Sequence, residues 1–99
     1  MTRFRLYRLR RSGTLVLDVQ ADLLDELETR SVVPVLPLAD FGHPIVRLNP
    51  QLDIGDQRYV MVTQFIAAID VVEIGAEVAD FRQDSDTITA AIDFLFQGF

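Results

Sequence analysis

The chain has no cysteine, no tryptophan and no lysine, and only one histidine. Without cysteine there is no disulfide, thiol nucleophile or thiolate metal site, which fits a reducing compartment. With a single histidine as well, most nucleophile–base arrangements are excluded. That histidine, His43, precedes a proline in a connecting stretch, where it reads as a surface residue. No apolar run approaches the roughly 18 residues that a spanning helix needs. The opening MTRFRLYRLRRSG carries charge but no apolar core. Neither a membrane span nor a signal peptide is expected, and the expected location is cytoplasmic.

Catalytic signatures are missing too: there is no Gly-x-Ser-x-Gly, P-loop, Gly-x-Gly-x-x-Gly or His-Glu-x-x-His. The carboxylate pairs Asp22/Asp25 and Asp84/Asp86 match a solvated face and a helix cap. Asp53, Gly55 and Asp56 resemble the opening of a calcium loop, but the closing glutamate is absent. The sequence argues against an enzyme, with no catalytic residue, metal or cofactor expected.

What is present begins with 99 residues, 49% of them apolar. This is enough for one domain, residues 1–99, with a core that buries roughly 60% of the unfolded surface. The net charge is −6, unevenly spread. Residues 1–17 hold five of the nine arginines and no acid; the rest holds four arginines against fifteen acids. This is either a solvated edge strand or a docking edge for an acidic partner segment, since arginine pairs bidentately with carboxylates. Nucleic acid is disfavoured, because the remaining surface would repel phosphate.

Residues 3–9 (RFRLYRL) suit a half-exposed strand, Arg11-Ser12-Gly13 a tight connection, and Thr14–Gln20 a second strand completing a hairpin. Ala21–Arg30 (ADLLDELETR) is ambiguous: Leu23, Leu24 and Leu27 fit one short core-facing helix, or a surface loop that shows apolar side chains. Ser31–Leu38 is extended. Its two prolines cannot donate ladder hydrogen bonds, which predicts a sheet edge or a bulge. Ala39–Pro50 reads as connection with a short strand at Ile45–Leu48. Leu52–Thr63 predicts a hairpin turning at Gly55-Asp56, Gln64–Ile69 a brief helical turn, Asp70–Ile74 a short strand, and Glu77–Arg82 strand or turn. Strands at this spacing, without βαβ alternation, predict an antiparallel sheet or partly open barrel with a helix packed on it.

That helix spans Asp84–Phe99 (DSDTITAAIDFLFQGF). Ile88, Ala91, Ile92, Leu95 and Phe96 form one apolar stripe. Asp84, Ser85 and Asp86 offer N-cap oxygens, and Gly98 stands where a C′ glycine belongs, with Phe99 placed to fold back on Phe94. Such a helix either seals the core or offers an apolar plug to a partner; periodicity alone favours sealing.

Five runs, in register along nearly the whole chain, carry a resemblance: Leu17–Asp25 (LDVQADLLD), Arg30–Val35 (RSVVPV), Ile54-Gly55-Asp56, Ile74–Asp80 (IGAEVAD) and Ala91–Phe99 (AIDFLFQGF). Together they resemble CcdB, the toxin of a bacterial toxin–antitoxin pair that poisons DNA gyrase. The resemblance implies an α+β fold: an antiparallel, SH3-like, partly open barrel with a small second sheet and a C-terminal helix. It also implies a two-fold homodimer without catalysis. The helix ends insert between gyrase A subunits and trap the enzyme on cleaved DNA. An antitoxin with a disordered C-terminal segment removes the toxin. Carried over by position, Leu23, Leu24, Asp93, Phe96, Gln97, Gly98 and Phe99 face gyrase, and the plug becomes the favoured reading of the tail. Arg8, Arg10 and Arg11 are the expected contacts for acidic residues of the antitoxin. The chain departs from the best-known members, which carry tryptophan before the final glycine and a branched aliphatic after it. Here those positions are Gln97 and Phe99. Two other readings stay open: a relative that binds antitoxin without harming gyrase, and an RNA-cleaving toxin of similar fold.

Overall fold

Apolar side chains along β1 (Arg5–Leu9), β2 (Leu15–Asp18, buried throughout) and β3 (Thr29–Pro37) set the architecture, seen in a computed structural model that describes residues 1–98. A short helix α1 (Leu38–Phe41) leads on to β4 (Gln51–Ile54), β5 (Gln57–Met61), β6 (Ala67–Asp70), β7 (Ile74–Asp80) and the terminal helix α2 (Ser85–Gln97). All pairings are antiparallel, in the order β4-β5-β3-β2-β1-β7, and the sheet curls into a half-barrel. The small second sheet takes the form of a branch, β6 pairing with the first half of β3.

Register explains the core. Leu6 lies opposite Leu17, and Leu17 opposite Val33, so three fully buried side chains form one row across the sheet. Ile88 and Ala91 of α2 close over that face. The alternate residues Tyr7, Val16 and Val32 point the other way and gather a smaller cluster with Ile74. A period of two thus gives the sheet two apolar faces, only one of them covered by the helix.

β3 is not at an edge. It sits in the middle, paired with β2 on one side and with β6 and β5 on the other. Pro34 is tolerated because of where its missing N–H falls. Its carbonyl accepts from Val62 N at 2.9 Å, so its nitrogen also faces that side. There the β6 pairing has stopped at Val32 and the β5 pairing begins at Val35. The proline occupies the changeover between partners and costs no ladder bond. The arginine strand β1 is likewise interior, between β2 and β7.

The Gly55-Asp56 hairpin forms as expected, with Ile54 opposite Gln57. Two short strand expectations fail, and one helical expectation is shortened, for local reasons. Ile45–Leu48 is a turn, because the buried Asn49 accepts from Ile45 N (3.1 Å) and donates to Met61 O (3.1 Å) and Gln64 Oε1 (2.8 Å). Residues 71–73 form a 3-10 turn, started when the Asp70 carboxylate accepts from Val72 N at 3.1 Å; asparagine and aspartate compete with strands in this way. Helical turning after β5 is confined to Thr63–Phe65, and β6 follows. Glu77–Asp80 belongs to β7. The expected side-chain N-cap of α2 is not made: a 3-10 turn at Arg82–Asp84 feeds straight into the helix. At Gly75 a side chain is impossible without movement, since a Cβ would stand 2.7 Å from the Arg8 carbonyl oxygen.

Candidate functional site

β2 ends at Asp18, and the chain leaves the sheet through Gln20 into a loop with a 3-10 turn at Asp22–Leu24. The ambiguity of this stretch resolves as a surface loop. Leu23 is 96% exposed and Leu24 50%, and Leu27 is exposed as well. A leucine left in water forgoes roughly 1.5–3 kcal/mol relative to burial. The loop is nonetheless held from several sides. Gln20 Nε2 donates to Leu24 O (2.8 Å) while its Oε1 accepts from Ser31 N (3.0 Å). Asp22 accepts from Arg3 N at 3.0 Å. Asp25 accepts from Arg30 Nη1 at 2.8 Å, and the Met1 amino nitrogen stands 3.6 Å from the same oxygen. Arg30 reaches Asp25 from inside the protein: it is 1% exposed, and its other terminal nitrogen pairs with Asp18, which is 0% exposed.

At the other candidate surface, Phe96 has rotated off the buried stripe and is 69% exposed. Asp93 and Gln97 are exposed too. Gly98 takes the left-handed conformation (φ 77°) and donates to Phe94 O at 2.9 Å, which ends the helix as a C′ glycine does. Arg47 lays its guanidinium 4.6 Å from the Phe94 ring centroid, a cation–π contact. Phe99 lies outside the described residues.

One protomer does not bring these two surfaces together. Leu23 lines a groove with Arg3, Phe4, Arg82 and Ser85, at the start of α2. Phe96 is at the far end, ~16 Å along the axis at 1.5 Å per residue.

Four arginines are paired with carboxylates; Arg3 and Arg47 lie over the Phe4 and Phe94 rings without an ion pair among the described residues. Arg5 is compensated by β7, through Glu77 at 3.0 Å and Asp80 at 3.6 Å, and the Glu77 hydrogen bond raises its pKa. Arg82 pairs with Asp80 at 2.8 Å; its side-chain hydrogen bond, then its backbone N–H, hold the Asp80 carboxyl below the usual carboxylate range. Arg58 pairs with Asp53 at 2.7 Å, so that carboxylate is tied within a hairpin instead of opening a calcium loop. Arg8, Arg10 and Arg11, by contrast, are all exposed at the β1–β2 hairpin end and make no ion pair among the described residues. Arg8 donates to Gly13 O and Arg10 to Ile74 O, each at 3.0 Å, bonds that leave the charge uncompensated. The positive surface is therefore a hairpin tip and not a strand edge.

Among the described residues no group of three or more His, Cys, Asp or Glu side chains could hold a metal, and no helix is long and apolar enough to cross a membrane. The candidate site presents exposed apolar side chains beside exposed charges. Asp18, Gln20 and Arg30 are its overlooked members. A lone acid in the otherwise apolar LVLDV, the glutamine that follows it, and a lone arginine opening RSVVPV were the signals that could have found them.

The candidate surface is thus a small half-barrel that encloses one ion pair, Asp18–Arg30, and holds two leucines and a phenylalanine out in water. Residues 3–98 match the family described as CcdB protein, and the chain belongs to the CcdB family. It is thus a toxin of a toxin–antitoxin system, in a family of toxins and not of catalysts.

Proposed function

We propose that this toxin binds the A subunit of DNA gyrase and traps the enzyme on cleaved DNA. The contact surface consists of Leu23 and Leu24 together with Asp93, Phe96, Gln97, Gly98 and Phe99. The observation that supports it best is Leu23, whose side chain stands almost wholly in water on a loop that is tied down on every side. Large apolar groups held rigidly outward are what a desolvated interface hot spot uses. Because Leu23 and Phe96 lie at opposite ends of α2, a two-fold homodimer is the arrangement that joins the loop of one protomer to the helix end of its partner.

An antitoxin with a disordered acidic C-terminal segment neutralises the toxin in the cytoplasm. It docks on Arg8, Arg10 and Arg11, three exposed arginines at one hairpin end that meet no carboxylate among the described residues. A disordered segment loses entropy on ordering and so needs a large contact area. Its affinity falls with added salt and with Arg10→Ala plus Arg11→Ala; affinity indifferent to both would remove this role from the hairpin tip.

A supercoiling assay with purified gyrase tests the main reading. Inhibition with a trapped cleavage complex at micromolar protein is expected, and the absence of both would end it. Gln97, which replaces an aromatic anchor, favours one second reading: a family member that keeps antitoxin binding but not gyrase poisoning. Normal growth on expression without antitoxin, with the protein dimeric and folded, is the outcome that supports it.

A further inference from the structure

Resting on the docking role of Leu23 and Leu24, we infer that Arg30 is a positioning residue for that loop, with Asp18 as its fixed counter-ion and Asp25 as its handle. Three observations carry this. First, a guanidinium and a carboxylate are enclosed together at the base of the loop, an arrangement that costs both ions their water. Replacing such a pair by apolar groups is often neutral or better for stability, so stability alone gives no reason for it. Second, the guanidinium is oriented for its two carboxylates and not for its own satisfaction. Its Nε is buried without a hydrogen-bond partner, while Nη2 meets Asp18 and Nη1 meets Asp25 at 2.8 Å. Third, the two carboxylates differ. Asp18 is anchored in β2 and also accepts from Gln20 N at 3.0 Å; Asp25 is half exposed and belongs to the loop.

The fork of Arg30 therefore joins a fixed point of the sheet to the segment just after Leu23–Leu24. The loop's own backbone bonds are three of the 3-10 type, from Leu24, Asp25 and Leu27, all in water-accessible positions, and Arg3 N adds one to the Asp22 carboxylate at 3.0 Å. Gln20 grips the Leu24 carbonyl from the same side of the sheet and bridges it to Ser31. Asp18, Gln20 and Arg30 thus form one buried base on which the leucines stand. Arginine is required because lysine, a single point donor, cannot reach both carboxylates in a fixed geometry.

Asp25→Ala in the full chain tests this, because the change is at the surface and leaves the Asp18–Arg30 pair intact. Backbone order parameters of residues 22–27 are expected to fall from about 0.85 toward 0.6 or below. Those of Leu17 and Val33 stay unchanged. Asp25→Glu restores part of the order, and Arg30→Lys reproduces the loss. Unchanged order in the loop of Asp25→Ala, or a uniform loosening of loop and sheet alike, would overturn the proposal. Gyrase A affinity is measured on the same variants. A loosened loop with undiminished gyrase binding leaves the positioning role standing and removes the docking role of the leucines.

Discussion

Ile88 and Leu23 are apolar side chains of similar size with opposite fates. Ile88 is fully enclosed between α2 and the row formed by Leu6, Leu17 and Val33, whereas Leu23 is 96% exposed. Beneath Leu23 the usual partition is inverted a second time, since Asp18 and Arg30 are shut away from water. Where the helix packs, sequence and structure serve one requirement, burial. At the loop, buried charge and exposed leucine fit the proposed role, in which the loop holds its shape for a partner.

The inversion can be broken most forcefully at its base. Arg30→Ala leaves Asp18 buried without its cation and should cost about 3–5 kcal/mol in urea unfolding. Changing both partners, Asp18→Leu with Arg30→Met, should return stability to that of the parent or above it. A double variant as unstable as the single one would mean that the pair holds the fold itself. On the packed side, Ile88→Ala should cost roughly 2–5 kcal/mol. Ile92→Ala should cost less, about 1–2 kcal/mol, because Ile92 is half-buried at the margin of the core. Equal losses at the two positions would show that the helix stripe is wider than its burial indicates. Leu23→Ala should change stability by no more than about 0.5 kcal/mol, as for surface substitutions generally.

The smallest effect concerns acid. Asp80 is depressed by Arg82, so its contribution is present above the ordinary carboxylate pKa and is lost as pH falls through the lowered value. In an NMR titration of the Asp80 carboxyl, Arg82→Ala should bring its midpoint back up toward the usual range. An unmoved midpoint would assign the depression to the backbone N–H of residue 82, which the variant keeps.

Much of this was legible in the residues. Arginine interleaved with apolar residues in the first strand, an apolar second strand and Gly55-Asp56 at a hairpin are local patterns that found their place, as did the α2 stripe at Ile88 and Ala91 but not at Phe96. The errors came where one side chain reorganised the backbone: Asn49 curling residues 45–48, Asp70 starting a 3-10 turn, Pro34 tolerated in mid-sheet because two neighbours change places beside it. Sheet order is non-local, so proline content misplaced β3 and arginine content misplaced β1 at an edge. The leucine loop was visible as an oddity, but periodicity over so few residues could not choose between core and surface. The charges that support it were invisible for a further reason. Asp18 and Arg30 are twelve residues apart in sequence, and only the pairing of β2 with β3 makes them neighbours.

The most direct test of the central claim is the affinity of the gyrase A subunit for the parent protein and for Leu23→Ser and Phe96→Ser, read beside their unfolding midpoints. Loss of at least about tenfold in affinity at each position, with midpoints unchanged, is the expected result, corresponding to roughly 1.4 kcal/mol or more of binding. Full affinity in both variants would contradict the account, since the apolar groups held out into water would then have no part in gripping gyrase.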